Sequence, residues 1–297
     1  MLNWLPHPIK GSLSFLLYVV NTLFWFVPLM LLAILKLLPI QRWQAWMTYL
    51  LDAIAVAWIS VNNLTTRIFT SIKWRVEGLE KLSRKDWYLI IANHQSWADI
   101  LILQNIFNRK IPFIKFFLKK ELLYVPFMGL CWWALDFPFM KRYSKKLLQK
   151  RPELKGKDIE TTRKACAKFR FKPVSIMNFV EGTRFTQDKH DRQQSPFQHL
   201  LKPKAGGTAF VLGAMGEQLH KLLDVTIHYP GGIPTFWDYI SGKVHAITVN
   251  IKVLPIAKEL IGDYHDQAYR ERFQQWLNQL WLEKDQQLAR LETGAGK

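Results

Sequence analysis

The chain has 297 residues, 41 Lys and Arg against 23 Asp and Glu, a net charge of +18, and 49% hydrophobic side chains. A basic chain this rich in apolar residues is not a disordered polyelectrolyte. With two cysteines, Cys131 and Cys166, it is no disulfide scaffold and offers no C-x-x-C pair for zinc or thiol exchange, and its length suits one large domain with an appendage.

The charge is unevenly placed. Residues 71–180 carry 23 basic and 9 acidic side chains, a surplus of 14, against surpluses of 3 over 1–70 and 1 over 181–297. A local basic field calls for an anionic partner: nucleic acid, a phospholipid surface or a phosphorylated substrate.

Between Lys10 and Lys36 stand 25 residues without a charged side chain. The run Leu13–Leu35 is long enough to cross a bilayer as a helix, which takes about 20 residues. Asn21 and Pro28 are tolerable interruptions there. The run is too long for the apolar part of a signal peptide, and no small-x-small cleavage site follows it. A second apolar stretch, Trp43 to Leu64, has Asp52 inside it and reads as a helix lying in the interface or pairing back on the first. Trp4, Trp25, Trp43, Trp46 and Trp58 suit a chain that meets headgroup depth repeatedly. Residues 1–70 are therefore read as membrane-anchoring helices and 71–297 as the catalytic domain, with the number of crossings open.

Beyond Ser71 the chain reads as α/β. Trp87–Ala92, Val174–Val180, Lys221–Tyr229 and Ile247–Leu254 have the composition of strands. Ser96-Trp-Ala-Asp99 followed by Ile100-Leu-Ile-Leu reads as a helix start with its cap. Asp158–Phe171 and Asp266–Leu291 read as helices, the last with Phe273, Leu277 and Leu280 on one face. Strands alternating with helices predict a sandwich of a mixed sheet and flanking helices, with loops at the strand ends carrying function.

Two strand-end motifs hold the chemistry. In Asn93-His94-Gln-Ser-Trp-Ala-Asp99 the loop can fold His94 over the first turn of the next helix, where Asp99 would orient the imidazole and His94 would deprotonate a hydroxyl. Ser96-x-x-Asp99 also matches a capping box, which accounts for Asp99 without catalysis. Ser96, the nearest hydroxyl, looks committed to that cap, so the pair suggests direct transfer without a covalent intermediate. The second motif, Phe179-Val-Glu181-Gly182-Thr183-Arg184, joins a turn-forming Gly to an acceptor, a donor and a planar fork, a grip for phosphate or a polar headgroup. Alone it is a weak four-residue match that fits a plain turn better than a site.

Together these blocks resemble the 1-acylglycerol-3-phosphate (lysophosphatidic acid) acyltransferase family of glycerolipid acyltransferases. The H-x-x-x-x-D motif is met by His94 and Asp99, and K-x-x-L-x-x-x-P-x-x-G by Lys119, Leu122, Pro126 and Gly129. Arg142 matches the arginine closing that block, and Glu181 to Arg184 match E-G-T-R. Pro203-Lys-Ala-Gly206 resembles the basic segment that follows. The strings Lys119–Pro126, Glu181–Thr186 with Lys189-His190, and Asp224–Thr226 look closest to the lysophosphatidic and lysocardiolipin acyltransferase subgroup. The sequence departs from the family at Asp136, where many members have Gly, and at Thr226, where many have Pro.

The resemblance implies a glycerolipid-acyltransferase-like fold behind an N-terminal membrane helix or hairpin. It implies transfer of a fatty acyl group from acyl-CoA or acyl-carrier protein to the hydroxyl of a lysophospholipid, with 1-acylglycerol-3-phosphate favoured over lysophosphatidylglycerol or lysocardiolipin. His94 would be the base and Asp99 its orienter. Lys119 or backbone N–H groups would face the oxyanion. Arg142 and Arg184 would hold the acceptor phosphate, with Glu181, Gly182 and Thr183 shaping the grip. No metal and no cofactor is expected. Val125–Leu135 reads equally as an acyl-tunnel lining and as plain core, and Trp132, Trp133, Phe137 and Phe139 are candidates for insertion at the interface. The expected partner is a phospholipid membrane, not nucleic acid, and the expected place is the cytoplasmic side of a bacterial inner membrane. A non-catalytic membrane-tethered binding protein is the alternative of another class.

Overall fold

The computed structural model describes residues 2, 4–140, 169, 172–264 and 266–294. Arg142, most of the helix expected over Asp158–Phe171, and much of the basic middle stretch lie outside the described residues.

Two long helices open the chain, α1 (His7–Leu35) and α2 (Gln41–Phe69), each of 29 residues. Pro8 falls in the first turn of α1, where its missing N–H costs nothing. Both helices are long and apolar enough to cross a membrane. The face α1 shows outward carries Phe15, Leu16, Val20, Phe24, Val27 and Leu31, while Lys10, Ser14 and Asn21 are buried. That is the inverse of a soluble surface helix and is what a lipid solvent favours. Asn21, an interruption in the sequence, donates to the Trp58 carbonyl (2.9 Å) and to Asn62 Oδ1 (2.8 Å), so it joins α1 to α2. Tyr18 and Thr66 share a hydroxyl contact of 2.8 Å in the same seam. Asp52 is likewise accounted for: it pairs with Lys172 and lies 3.6 Å from buried Lys115. It ties α2 to the body rather than to the interface.

The body is a six-stranded mixed sheet between two layers of helices. In chain order the strands are β1 (Lys73–Glu77), β2 (Tyr88–Ala92), β3 (Ile114–Phe116), β6 (Ser175–Phe179), β7 (Lys221–His228) and β8 (Ala246–Pro255). Between them a two-stranded sheet joins β4 (Leu118–Lys119) to β5 (Phe139–Met140). The large sheet runs β1-β8-β7-β2-β6-β3, parallel except for β7 with β8. Every residue of β2 is buried, as expected of a strand with both faces covered. On one face Tyr88, Ile90 and Ala92 share a core with α3 (Ala98–Phe107) and with Leu29, Ala33, Leu51 and Ala55 of the first two helices. On the other, Leu89 and Ile91 meet α6 (Ala205–Met215) and α8 (Gln267–Glu292). Phe273, Leu277 and Leu280 are the buried stripe of α8.

Shorter elements complete the chain: α4 (Met128–Ala134), α5 (Gln187–Gln193) and α7 (Phe236–Ile240). Of the four aromatics expected at the interface, Trp133 alone is exposed. Trp132 and Phe139 are half-buried, and Phe137 is buried against Phe113 and Phe116. Asp136, one of the departures from the family, has φ +56°, the left-handed region where glycine is at ease, and its carboxylate pairs with Lys36. Thr226, the other, is buried at a point where β7 reaches α8. Its hydroxyl donates to Gln287 (2.9 Å) and accepts from Lys284 (3.0 Å).

Candidate active site

The register of the sheet gathers the two motifs. β2 pairs in parallel with β6, and Ala92 stands opposite Phe179. The two loops therefore leave the same end of the sheet side by side, His94 two residues past one strand and Glu181 two past the other. β7 lies on the other side of β2 and ends nearby. Asn93 clamps that end: its amide donates to the Ile227 carbonyl (2.9 Å) and accepts from the Ile227 N–H (2.8 Å).

His94 Nδ1 lies 2.8 Å from Asp99 Oδ2. A carboxylate has no proton to give, so Nδ1–H donates and Nε2 keeps its lone pair for an incoming proton. Asp99 is fully buried. Its Oδ2 also accepts the N–H groups of Gln95 (2.7 Å) and Ser96 (2.9 Å), and its Oδ1 accepts the Tyr229 hydroxyl. The anion is thus held by two peptide dipoles, a hydroxyl and the imidazole.

The capping box forms by half. Asp99 takes the Ser96 N–H, but Ser96 Oγ accepts from Ala98 (3.1 Å) instead of Asp99 and donates to the Pro234 carbonyl (2.6 Å). The serine hydroxyl is thus engaged both as donor and as acceptor, away from His94. Asp99 closes the turn ahead of α3 through the Ser96 N–H while contacting the imidazole; the N-cap position itself, Trp97, has no side-chain cap bond.

Glu181 works inside the fold rather than in a surface grip. It is fully buried, and its oxygens accept the N–H groups of His94 (3.0 Å) and Leu201 (3.1 Å). Burial pushes its carboxyl up to about 8, against the pull of those two donors. The Phe185 N–H donates to the His94 carbonyl (2.7 Å), so both main-chain groups of His94 are fixed by the second motif and the residue that follows it. Gly182 supplies the tight turn with φ +71°.

Arg184 remains at the rim, half-buried, its guanidinium 4.4 Å from the centre of the Trp97 ring. Lys189 donates to Thr183 Oγ1 and to the Arg184 carbonyl, both at 2.9 Å. Lys189 thus adds a cation that the motif did not count. Lys119 is exposed at the end of β4 and takes no part in the contacts joining His94, Asp99 and Glu181.

One face of the His94 ring stacks on Phe179 at 3.9 Å. Beyond it opens a cavity of about 660 Å³, lined almost wholly by apolar side chains. α1 and α2 give Trp25, Leu29, Ala55 and Trp58, and the body gives Phe116, Trp132 and Leu135. Met128, Cys131, Trp132 and Leu135 come from the stretch 125–135, so that part of it lines the cavity, while Gly129 and Ala134 are packed inside. The first two helices are therefore walls of this cavity as well as bearers of an exposed apolar face.

Sequence reasoning gave no role to Tyr229, Phe179, Trp97 or Lys189. Tyr229 stood as the last residue of an expected strand, and Lys189 only as part of a subgroup string. Phe179 stood inside the second motif without a role.

The Acyltransferase family model matches residues 73–229. The chain is 26% identical over 212 residues to 1-acyl-sn-glycerol-3-phosphate acyltransferase gamma of Mus musculus, covering 68% of this chain and 52% of that protein. It is 25% identical over 214 residues to the delta protein of that name from the same organism, with the same coverage. The chain thus spans about half the length of these curated relatives. Among solved structures it is similar to the 1-acyl-sn-glycerophosphate (LPA) acyltransferase PlsC from Thermotoga maritima, with a TM-score of 0.47 and 15% identity over 92% of this chain and 97% of that one.

Proposed function

The chain belongs to the acyltransferase family, and on that premise we propose that it is a membrane-bound O-acyltransferase acting on a lysophospholipid, 1-acylglycerol-3-phosphate above all. One observation carries the reading: His94, paired with Asp99, lines an apolar cavity of about 660 Å³ together with Trp97, over which the Arg184 guanidinium lies. An acyl chain fits the cavity and a phosphate the guanidinium.

The donor is a thioester, acyl-CoA or acyl-carrier protein. His94 Nε2 takes the proton of the acceptor hydroxyl, and Asp99 steadies the imidazolium that forms. The acceptor oxygen bonds to the thioester carbonyl carbon and gives a tetrahedral oxyanion, stabilised by N–H groups or by Lys119 moving in from its exposed place. Collapse breaks the C–S bond, and the imidazolium proton goes to the departing sulfur. Products are the acylated lipid and a thiol, and no cofactor takes part. Arg184, with Arg142, holds the acceptor phosphate; Lys189 and Thr183 set the loop that presents Arg184, and Glu181 sets His94 from behind.

Residues 1–70 would hold the enzyme in the membrane and 71–297 carry the chemistry, with the active side towards the cytoplasm of a bacterial inner membrane, where acyl thioesters are made. The test is a donor-by-acceptor panel on the purified full chain in detergent, read by product mass. Acylation of 1-acylglycerol-3-phosphate that falls about 10²–10⁴-fold in His94→Ala is expected. Acyl transfer retained in that variant removes the proposed base. A larger turnover with lysophosphatidylglycerol or monolysocardiolipin moves the assignment to that acceptor.

A further inference from the structure

Asp99 has two oxygens with unequal surroundings. Oδ2 serves three donors: His94 Nδ1 and the N–H groups of Gln95 and Ser96. Oδ1 has one, the hydroxyl of Tyr229, 130 residues along the chain. Asp99 is fully buried, so Oδ1 is closed to bulk water. A carboxylate with one bare oxygen can roll about its Cβ–Cγ bond until the two oxygens share the donors. A donor fixed on Oδ1 stops that roll and keeps Oδ2 turned to the imidazole.

Tyr229 is itself rigidly held. It directly follows β7, whose end is clamped to the His94 loop by the two hydrogen bonds between Asn93 and Ile227. Five residues later the Pro234 carbonyl accepts the Ser96 hydroxyl. The segment 227–234 is thus stitched to 93–99 at three points, and the tyrosine is the middle one. The ring is buried, and burial together with the adjacent Asp99 charge raises its hydroxyl well above the usual range, so it remains a donor at every working pH.

We propose that Tyr229 is a positioning residue for the reaction: its hydroxyl donates to Asp99 Oδ1, fixes the roll of the carboxylate, and so fixes the imidazole that Oδ2 holds. The inference rests on the reading of His94 as general base. The stacking of His94 on Phe179 sets the plane of the ring, and the Tyr229–Asp99 contact sets its rotation within that plane.

The test uses the purified full chain and Tyr229→Phe, which keeps the ring and removes only the hydroxyl. kcat is expected to fall roughly tenfold, the low end of what an orienting partner contributes, with KM for donor and acceptor within about twofold. In an Asp99→Asn background the same change should cost nothing further, because the carboxylate it steadies is gone. Wild-type kcat in Tyr229→Phe, or an equal loss in both backgrounds, overturns the proposal. A second readout does not need activity: the Nδ1 proton of His94, observed by NMR in histidine-labelled protein and assigned by its loss in His94→Ala. It should shift or broaden in Tyr229→Phe and move the opposite way with 3,5-difluorotyrosine at 229, a stronger donor. An unmoved resonance sinks the idea. If the wild type transfers no acyl group while the resonance responds as described, the proposed activity fails and the positioning role stands. Should Tyr229→Phe not fold, the difluorotyrosine protein decides through the same resonance.

Discussion

Glu181 accepts the main-chain N–H of His94 at 3.0 Å and that of Leu201 at 3.1 Å, so one buried carboxyl joins the His94 loop to the segment before α6. Burial lifts this carboxyl from its ordinary 4.5 to about 8. A carboxyl raised on folding favours the native state while both forms hold the proton. That contribution is complete below pH 4.5 and is lost as pH rises towards 8, at about 1.4 kcal/mol for each tenfold gain in proton affinity. Thermal midpoints of the wild type should therefore fall between pH 5 and 8 more steeply than those of Glu181→Gln. Parallel curves would clear Glu181 of the effect.

Arg184 lies over Trp97 at the rim and is the described arginine of the two expected on the acceptor phosphate. A charge-assisted hydrogen bond is worth about 1.5–3 kcal/mol. Arg184→Ala should accordingly raise KM for phosphate-bearing acceptors by roughly 10–100-fold, while turnover of a phosphate-free acceptor stays near its wild-type level. Steady-state kinetics on both acceptors decides it, and a preference for phosphate that survives the change rules the residue out.

Asp136 combines a left-handed backbone with an ion pair to Lys36. Asp136→Gly and Asp136→Ala both lose the pair, but only alanine keeps a side chain where φ is +56°. The alanine variant should be the less stable of the two by about 1 kcal/mol. Equal denaturation midpoints would falsify the claim that the backbone sets the family's choice of glycine there.

Cys131 faces the apolar cavity from α4. Filling that side with Cys131→Trp should leave transfer from short-chain donors intact and suppress transfer from long ones. A chain-length panel reads this directly; uniform loss at all lengths would point to a folding defect instead.

The sequence showed most clearly what repeats or runs. The two apolar helices, the buried strands β2, β6 and β7, and the stripe of Phe273, Leu277 and Leu280 were legible because burial writes a period or an unbroken run. β1 (Lys73–Glu77) was missed, since an edge strand alternating charged and apolar residues has little composition to mark it. α6 (Ala205–Met215) was missed because three glycines mask its helical pattern. His94, Asp99 and Glu181, read from their motifs, are brought together by the fold. The division of labour inside E-G-T-R, with Glu181 turned inward and Arg184 outward, needed the register of β2 with β6. Tyr229 needed a contact across 130 residues, which no local pattern records.

Near the start of α1, His7 bonds the Ser241 carbonyl at 2.9 Å, and Gly11 lies so close to Trp237 that an added Cβ would sit 2.7 Å from the ring. Just past its end, Lys36 pairs with Asp136. A helix about 43 Å long is therefore moored to the α/β body at bow and stern, and it cannot send one end across a bilayer while the body stays in water. We expect the enzyme to float in a single leaflet, with residues 2 and 38 equally open to a membrane-impermeant thiol reagent after cysteine substitution in sealed vesicles; protection of one alone would refute this. With the activity proposed above, an enzyme so moored would give every new acyl chain to one leaflet. Each turnover widens that sheet against its neighbour, so its activity would be felt by the membrane as curvature stress until lipids cross over.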